Sequence, residues 1–318
     1  MERPIRIELP TMFGMKTVNA YLFKTPVPTL IDCGENSDES WSALNEQIER
    51  QGVAITDIER VIITHAHVDH IGMAQRVVDA SDCKVWVTPL VYPWAIQLEE
   101  MKKLRVGMIE KTFSAFIQGD EAFQNMWDAV RSLFSSTDSF WLPIQEKAIV
   151  QFDLEDQLEL GGRQWEIIHV PGHCANQTCF YDRENKELIS ADMILNITPT
   201  PVIEYDAGRE DHRSRGLSEL LESYDKIAAL EIETVYPGHY KEMGDPTPLI
   251  EFQKNRIDQR VSQTLGFIEE GTTQFSKLLD RLYPNRISMP AANMLIGYLD
   301  LLEDQGKIKV RDGVIELS

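Results

Sequence analysis

The sequence predicts an α/β fold with a helical insertion and a small C-terminal module. Three observations predict it. Short apolar runs bounded by Gly and Pro alternate with amphipathic helical segments, so sheet and helices are interleaved. Residues 90–149 interrupt that alternation with a long helical pattern. Residues 251–318 follow the order helix, helix, helix, hairpin, which is typical of a winged-helix-like module. We therefore expect a main domain over 1–250 and a separate module over 251–318.

The first 90 residues begin with three short strands and continue with helices and strands in turn. The runs IRIEL, NAYLF and TLIDCG are separated by turn residues, which predicts a meander. The segment Ser40 to Gln51 places Trp41, Leu44 and Ile48 on one helical face. The run IERVIITH predicts a buried strand, MAQRVVDA a helix and KVWVTP another strand.

The insertion from Leu90 to Ile149 is unusually aromatic for a connection, with nine of the 27 aromatic residues of the chain. Part of it has apolar residues at helical spacing: Phe123, Met126, Trp127, Val130, Leu133 and Phe134. Such a face either packs on the main body or contributes aromatic side chains to a substrate pocket. Both uses stay open, and different residues could serve each.

Strands return after the insertion in LEDQLEL, RQWEIIHV, TCFYD and ELISADMI. A helix from Leu217 to Leu230, the strand ETVYPGH and a long helix from Pro248 to Glu270 follow. The C-terminal module then has two further helices and a hairpin turning at Asp312-Gly313. Its net charge from residue 251 onward is close to zero, with nine basic and ten acidic residues.

The helix that would read DNA in such a module carries Asp300, Glu303 and Asp304, with no Lys or Arg before Lys307. Nucleic-acid recognition needs clustered positive charge, so we predict packing or homodimerisation for this module instead. The whole chain agrees with that, because 31 Lys and Arg oppose 51 Asp and Glu for a net charge of −20. A polyanionic partner would require a local basic patch.

Compartment and redox state follow from the same composition. The four cysteines are scattered and form no CxxC pair, which predicts reduced thiols rather than a disulfide scaffold. The N-terminal segment lacks the apolar stretch of a signal peptide, and no later window is apolar enough for a membrane span. We therefore expect a cytoplasmic protein that is not bound to a membrane.

The strongest chemical signal is the segment ITHAHVDHIG, where a strand turns into a helix. It contains His65, His67, Asp69 and His70 within six residues. Neutral imidazoles and a carboxylate at this density suit a bound cation, because each supplies a lone pair. Later strand ends deliver further ligand-type residues: His173, Asp192 and His239. A set of His and Asp without Cys favours zinc, with iron or manganese as alternatives.

The motifs LIDCG, THAHVDH, PGH, SAD and PGH, in this order between Ile5 and Tyr240, resemble those of the metallo-β-lactamase superfamily. The resemblance implies a four-layer αβ/βα sandwich with a dinuclear metal centre. It assigns His65, His67 and His173 to one ion, and Asp69, His70 and His239 to the other. It also makes Asp192 the bridging ligand and Asp32 a buried residue that orients the ligand loop. The C-terminal module resembles the winged-helix tail of a lactamase-like subfamily that includes thioesterases, glyoxalase-type hydrolases and an RNA-cleaving member.

Two divalent ions would acidify a bridging water and polarise a carbonyl or phosphoryl oxygen. Asp69 could then pass a proton to the leaving group, and Tyr240 is a candidate oxyanion donor, with packing as its alternative. The first hypothesis is a hydrolase of a small thioester, lactone or ester with an apolar acyl part. The alternatives are a phosphodiesterase or ribonuclease on the same metals, and a non-catalytic metal-binding or assembly protein. The net charge favours the first.

Other polar residues have two interpretations each. His169 is expected to form a hydrogen bond within a strand rather than bind a metal. The cluster Arg209, Arg213 and Arg215 is either solvated or holds a substrate carboxylate or phosphate. Cys33 and Cys174 adjoin motif residues and are expected to be small buried fillers.

Overall fold

The structure of this protein is a computed structural model, and it describes residues 2–13, 15–117, 124–125, 128, 140–206, 209–284, 288–311 and 313–318. Within these residues, the first sheet has six strands that follow the chain order. They are β1 (Ile5–Pro10), β2 (Thr17–Phe23), β3 (Thr29–Ile31), β4 (Arg60–Ile62), β5 (Lys84–Val87) and β6 (Ile149–Gln151). The predicted meander is confirmed, because β1, β2 and β3 pair antiparallel.

From β3 onward the pairs are parallel, and parallel neighbours need a crossover connection. The helices of this half are α1 (Asp38–Arg50), α2 (Val68–Ile71), α3 (Ala74–Ser81), α4 (Tyr92–Ile96) and α5 (Leu98–Ile117). A short 3₁₀ turn at Ile55–Asp57 precedes β4, and another at Glu146–Ala148 precedes β6. Helix α1 begins where the Ser37 side chain accepts a hydrogen bond from the amide of Ser40, and it buries Leu44 and Ile48 as predicted.

The second sheet has the order β13-β10-β9-β8-β7 within the described residues. Its strands are β7 (Gln157–Leu160), β8 (Arg163–His169), β9 (Thr178–Asp182), β10 (Glu187–Ala191) and β13 (Thr234–Pro237). The strands β11 (Tyr205–Asp206) and β12 (Arg209–Arg213) form a separate hairpin between β10 and helix α6 (Gly216–Ala228). Strands β10 and β13 pair parallel, so α6 is the crossover between them.

The two sheets pack face to face through large side chains. Phe23 meets Trp165 edge to face at 6.0 Å between ring centroids, and Tyr21 meets Tyr236 at 5.6 Å. A second apolar cluster covers the outer face of the first sheet with α1 and α3, and a third covers the second sheet with α6. Helix, sheet, sheet, helix is the four-layer sandwich that the family resemblance implies.

The described part of the insertion packs against the rest of the molecule. Trp94 stacks on Trp141 with 5.9 Å between centroids, and both are buried beside the first sheet. Phe113 and Phe116 of α5 contact Phe275, at 5.9 and 4.7 Å between centroids. The predicted helical face that runs from Phe123 to Phe134 lies outside the described residues.

The C-terminal residues form helices α7 (Thr247–Glu269), α8 (Phe275–Leu282) and α9 (Met289–Asp304), then strands β14 (Ile308–Arg311) and β15 (Val314–Leu317). The order agrees with the sequence pattern, although Asp312 in the predicted turn lies outside the described residues. A Cβ at Gly297 of α9 would lie 2.7 Å from Cβ of Leu217 in α6, so these helices pack without space for a side chain. No helix within the described ranges has an apolar stretch sufficient to span a bilayer. The winged-helix assignment and the boundary at residue 251 stay predictions.

Candidate metal centre

Five of the seven predicted ligands lie in turns that follow strands, and the other two lie on the short helix α2. His65 follows β4, and His67 is the N-cap of α2, which carries Asp69 and His70. The three later residues follow β8, β10 and β13: His173, Asp192 and His239. The fold brings residues from distant parts of the chain to one edge of the sandwich, with ligand-type atoms within a few ångströms of one another.

The first predicted group converges on a nitrogen of His67. Nδ1 of His67 lies 3.1 Å from Nε2 of His65 and 2.9 Å from Nε2 of His173. Three imidazole nitrogens therefore face a common point. This spacing is the arrangement that a cation with nitrogen ligands would stabilise.

The second predicted group is held near Asp192. Nε2 of His239 lies 3.5 Å from Oδ2 of Asp69 and 3.4 Å from Oδ2 of Asp192. Nε2 of His70 lies 3.4 Å from Oδ1 of Asp192. Asp192 also lies 3.5 Å from Nε2 of His173, so its carboxylate stands between the two groups. This placement is the one that a bridging ligand requires.

The outer nitrogens of four imidazoles are each hydrogen-bonded to the protein. Nδ1 of His173 donates to the carbonyl of Thr200 at 2.9 Å, and Nδ1 of His239 to the carbonyl of Thr17 at 2.6 Å. A carbonyl can only accept, so Nδ1 carries the proton and Nε2 presents its lone pair inward.

Asp32 performs the same task for the other two imidazoles. Its Oδ2 accepts from Nδ1 of His70 at 2.8 Å and from the hydroxyl of Thr64 at 2.7 Å. Because that hydroxyl donates to Asp32, it accepts from Nδ1 of His65, which lies 3.0 Å away. Asp32 also accepts from the amide of Thr64 and is itself buried, at 3% exposure. It orients His65 and His70, and both of its oxygens are occupied by these hydrogen bonds, in agreement with the role that the resemblance implies.

Gly238 is needed for the close packing of the second group. A Cβ at this position would lie 2.3 Å from Oδ1 of Asp192 and 2.9 Å from Cε1 of His70. The glycine of the PGH motif therefore matters as well as the histidine, because a side chain at Gly238 would displace Asp192 and His70.

Burial and neighbouring charges move the pKa values of the two groups in opposite directions. Burial lowers the pKa of His65 and His67 well below its ordinary value, and that of His173 below it. Burial also disfavours the charged form of His70, but Asp192 and Asp32 outweigh it and raise the pKa of His70 well above its ordinary value. The first three imidazoles are thus neutral at neutral pH, which is the form that binds metals.

Several buried atoms at this centre have no hydrogen-bond partner within the described residues: Nε2 of His67, Nε2 of His70 and Oδ1 of Asp192. Buried polar atoms are normally satisfied, so an unpaired nitrogen and carboxylate oxygen side by side point to a missing partner. For His70 and Asp192 a divalent cation is that partner by chemistry and position. The residues present therefore fit a metal centre.

Cys174 lies closer to this centre than the sequence indicates. Its Sγ, a ring nitrogen of His65 and a ring nitrogen of His67 all lie within 4.8 Å of one another. The thiol is buried and contacts Oδ1 of Asn176 at 3.5 Å, and burial raises its pKa well above the ordinary value. Asn176 is a residue that the sequence does not single out; its Oδ1 accepts from the amide of Ala66, between two ligands, at 2.8 Å.

The remaining candidates have other partners. Nε2 of His169 contacts the carbonyl of Ala175 at 2.8 Å, which confirms its predicted hydrogen-bonding role. Tyr240, which follows His239, is 38% exposed and has a left-handed backbone with φ of 69°. Its carbonyl accepts from Nδ2 of Asn19 at 2.8 Å.

Two of the three candidate arginines pair with acidic residues of the same chain. Arg213 forms a bidentate pair with Asp300 at 2.6 and 2.8 Å. Arg215 lies 3.3 Å from Asp300 and also contacts Glu303 and Asp304. These contacts favour a structural role over substrate binding. The side chain of Arg209 lies outside the described part of the structure.

Comparison with known proteins gives a consistent result. The family model described as "Metallo-beta-lactamase superfamily" matches residues 16–239. The probable metallo-hydrolase YqjP of Bacillus subtilis strain 168 is 25% identical over 315 residues, which cover 96% of this chain and 94% of YqjP. The acyl-coenzyme A thioesterase MBLAC2 of Gallus gallus is 23% identical over 194 residues, 58% of this chain and 57% of MBLAC2. The crystal structure of a metallo-beta-lactamase family protein from Thermus thermophilus superimposes with a TM-score of 0.77 at 20% identity, covering 99% of this chain and 98% of that one.

Proposed function

This chain belongs to the metallo-beta-lactamase superfamily and is a metallo-hydrolase, and from that premise we propose that it hydrolyses a small carbonyl substrate such as a thioester, lactone or ester. The observation that carries the proposal is the position of Asp192 between two groups of buried ligand-type residues. In this proposal one divalent ion is held by His65, His67 and His173. The other is held by Asp69, His70 and His239, and Asp192 bridges the two.

We propose zinc as the metal, with iron or manganese as alternatives. Imidazole and carboxylate ligands suit all three ions, and the neutral state of the first three imidazoles favours nitrogen coordination. When bound, such ions supply an acidified water as nucleophile and polarise the substrate carbonyl. Cys174 is not included in the set, because three imidazoles already converge on the first position.

The residues of the chain divide the remaining work. Asp32, Thr64, Thr17 and Thr200 keep the imidazoles in one tautomer and orientation, so no reorganisation is required when substrate arrives. Asp69, whose Oδ2 lies 3.5 Å from Nε2 of His239, is the residue that we propose to pass a proton to the leaving group. Tyr240 follows a ligand directly, and we propose its hydroxyl as a donor to the developing oxyanion.

A carbonyl substrate is favoured over a phosphodiester by the charges of the molecule. The net charge is −20, and Arg213 and Arg215 are paired with acidic side chains rather than free to hold phosphate. The similarity to an acyl-coenzyme A thioesterase supports a thioester in particular, although it covers 58% of this chain. The partner we propose is therefore a small molecule rather than a nucleic acid.

A substrate panel tests the proposal. The protein, freed of metal and reconstituted in turn with zinc, manganese and iron, is assayed on thioesters, lactones and bis(p-nitrophenyl) phosphate, with Asp192→Ala as control. We expect turnover of a carbonyl substrate that chelation and Asp192→Ala abolish. Turnover of the phosphodiester alone would replace the proposal with the phosphodiesterase alternative. Turnover that persists in Asp192→Ala would remove Asp192 from the centre.

A further inference from the structure

We propose that a cavity between the insertion and the loop after His173 binds the neutral, apolar acyl part of the substrate, and that Met101 and Leu104 limit its length. The inference rests on the proposed hydrolysis of a carbonyl substrate. The cavity has a volume of about 360 Å³, within the range of small-molecule sites. Neither Phe116 nor Trp141 lines it among the residues that the structure describes, and Trp127 lies outside those residues.

One wall of the cavity is apolar and comes from the first two helices of the insertion. It includes Pro93 and Trp94 of α4 and Met101 and Leu104 of α5. Trp94 is held in place by Trp141, on which it stacks, so this wall is preorganised. Apolar, preorganised walls bind hydrocarbon because contact with it removes apolar surface from water.

Another part of the wall belongs to the loop that carries His173, one of the proposed metal ligands. It includes Ala175 and Asn176, two and three residues after His173. Asn176 accepts a hydrogen bond from the amide of Ala66, which lies between His65 and His67. A substrate whose carbonyl lies at the centre can therefore extend its acyl part toward this cavity.

The charges on the cavity exclude an anionic group. The cationic side chain on its wall, Arg105, pairs with Glu204 at 2.8 Å and stacks over Trp94 at 3.9 Å from the ring centroid. Glu204 is held in turn by the amide of Ala175 at 2.6 Å. Because the cation is neutralised, the remaining charge on the described part of the wall is that of Glu100, which is negative. A carboxylate or phosphate at the end of the acyl part would be repelled, whereas hydrocarbon would not.

The test measures binding and hydrolysis separately. Binding of the methyl ketones from 2-butanone to 2-decanone, which are neutral and not hydrolysed, is followed by NMR titration. Hydrolysis is measured on the matched series of S-acyl thioesters, and on butanoyl against succinyl thioester. The variants are Leu104→Trp, which fills the cavity, and Leu104→Ala, which enlarges it. Lys103→Trp adds the same indole at an exposed neighbouring position and serves as the control.

We expect each added methylene to tighten ketone binding up to about fourfold until the cavity is full. Leu104→Trp should shorten the preferred chain, Leu104→Ala should lengthen it, and Lys103→Trp should leave it unchanged. The butanoyl thioester should be hydrolysed faster than the succinyl one. Equal chain-length dependence in all four proteins, or preference for succinyl, would overturn this inference and leave the proposed hydrolase intact. Length-dependent ketone binding without hydrolysis of any carbonyl substrate would instead overturn the proposed function.

Discussion

Among the residues outside the proposed ligand set, Asp32 has the largest role in the geometry of the centre. Its carboxylate accepts from His70 and from Thr64, and through the Thr64 hydroxyl it also fixes His65. One side chain thus sets the tautomer of an imidazole in each group. Its own backbone has a φ of 57°, in the left-handed region that non-glycine residues rarely adopt. Strain of this kind is retained where the local contacts require it.

We predict that Asp32→Asn weakens metal binding about 10- to 100-fold, because an amide replaces one accepting oxygen with a donor and cannot accept from all three groups that Asp32 binds, Nδ1 of His70 and the hydroxyl and amide of Thr64. Glu35→Gln is the matched control, since Glu35 is equally buried on the same loop but accepts from Thr11 and Met12 instead. The measurement is zinc affinity by competition with a chelating dye. Equal affinity in the two variants would show that Asp32 has no orienting role.

Substitution of Cys174 and of His173 distinguishes a residue that binds the metal from one that only lies near it. We predict that Cys174→Ser keeps the full metal content, whereas His173→Ala loses at least one ion, because the imidazole and not the thiol points a lone pair at the first group. Elemental analysis of both purified variants measures this. Loss of an ion from Cys174→Ser, with retention in His173→Ala, would exchange their roles.

The candidate ligands could be singled out from the sequence because each is a His or Asp within a few residues of the end of an apolar strand. Their outer partners could not, since Thr17 and Thr200 act through backbone carbonyls that any residue provides. The same reasoning applies to Gly238, whose role is apparent only when Asp192 and His70 lie against it.

At the scale of elements, the β11–β12 hairpin contacts α9, and this contact pairs the candidate arginines with acidic side chains. Asp300 of α9 accepts a bidentate pair from Arg213 and contacts Arg215. The acidic residues of α9, whose charge argues against DNA binding, thus form ion pairs with arginines of the same chain. The sequence contains both sets of charges about 90 positions apart, and only the packing of α9 on α6 brings them together.

We predict that Asp300→Ala lowers the free energy of unfolding by about 2 kcal/mol, because it leaves a partly buried guanidinium without its bidentate acceptor. Asp304→Ala removes a half-exposed carboxylate from the same helix and should change stability by no more than about 0.5 kcal/mol. Urea unfolding of both variants measures the difference. Equal stability would mean that the pair contributes nothing to the contact.

The insertion illustrates what sequence patterns leave undetermined. Its aromatic residues are conspicuous, yet Trp94 and Trp141 stack in the core and Phe116 packs on Phe275. Of these three, only Trp94 also lines the cavity, and the same wall includes Met101 and Leu104, on a face of α5 with no distinctive pattern. An apolar residue indicates burial, but not whether a neighbouring helix or a ligand covers it.

At the scale of the whole molecule, the C-terminal helices share an apolar cluster with α5 and α6. Leu278, Leu295 and Leu299 of the tail belong to the same cluster as Leu217 and Leu220. The tail is thus packed against the catalytic part, which agrees with the predicted packing role. Homodimerisation through its remaining surface stays a proposal.

We predict that duplex DNA does not bind tightly at low salt, because the chain is strongly acidic and Asp300, Glu303 and Asp304 lie on the helix that would read the major groove. A fluorescence titration with labelled duplex, at salt concentrations from about 50 to about 200 mM, measures this. Tight binding that weakens steeply with salt would reverse the assignment of the tail.

The central claim is that seven residues from distant parts of the chain hold two metal ions. Elemental analysis of the native and zinc-reconstituted protein, beside His67→Ala and Asp192→Ala, tests it most directly. We predict up to two ions per chain in the parent, a lower content in each variant, and loss of hydrolysis on chelation that returns with added metal. No transition metal in either parent preparation, with activity unaffected by chelation, would contradict the account.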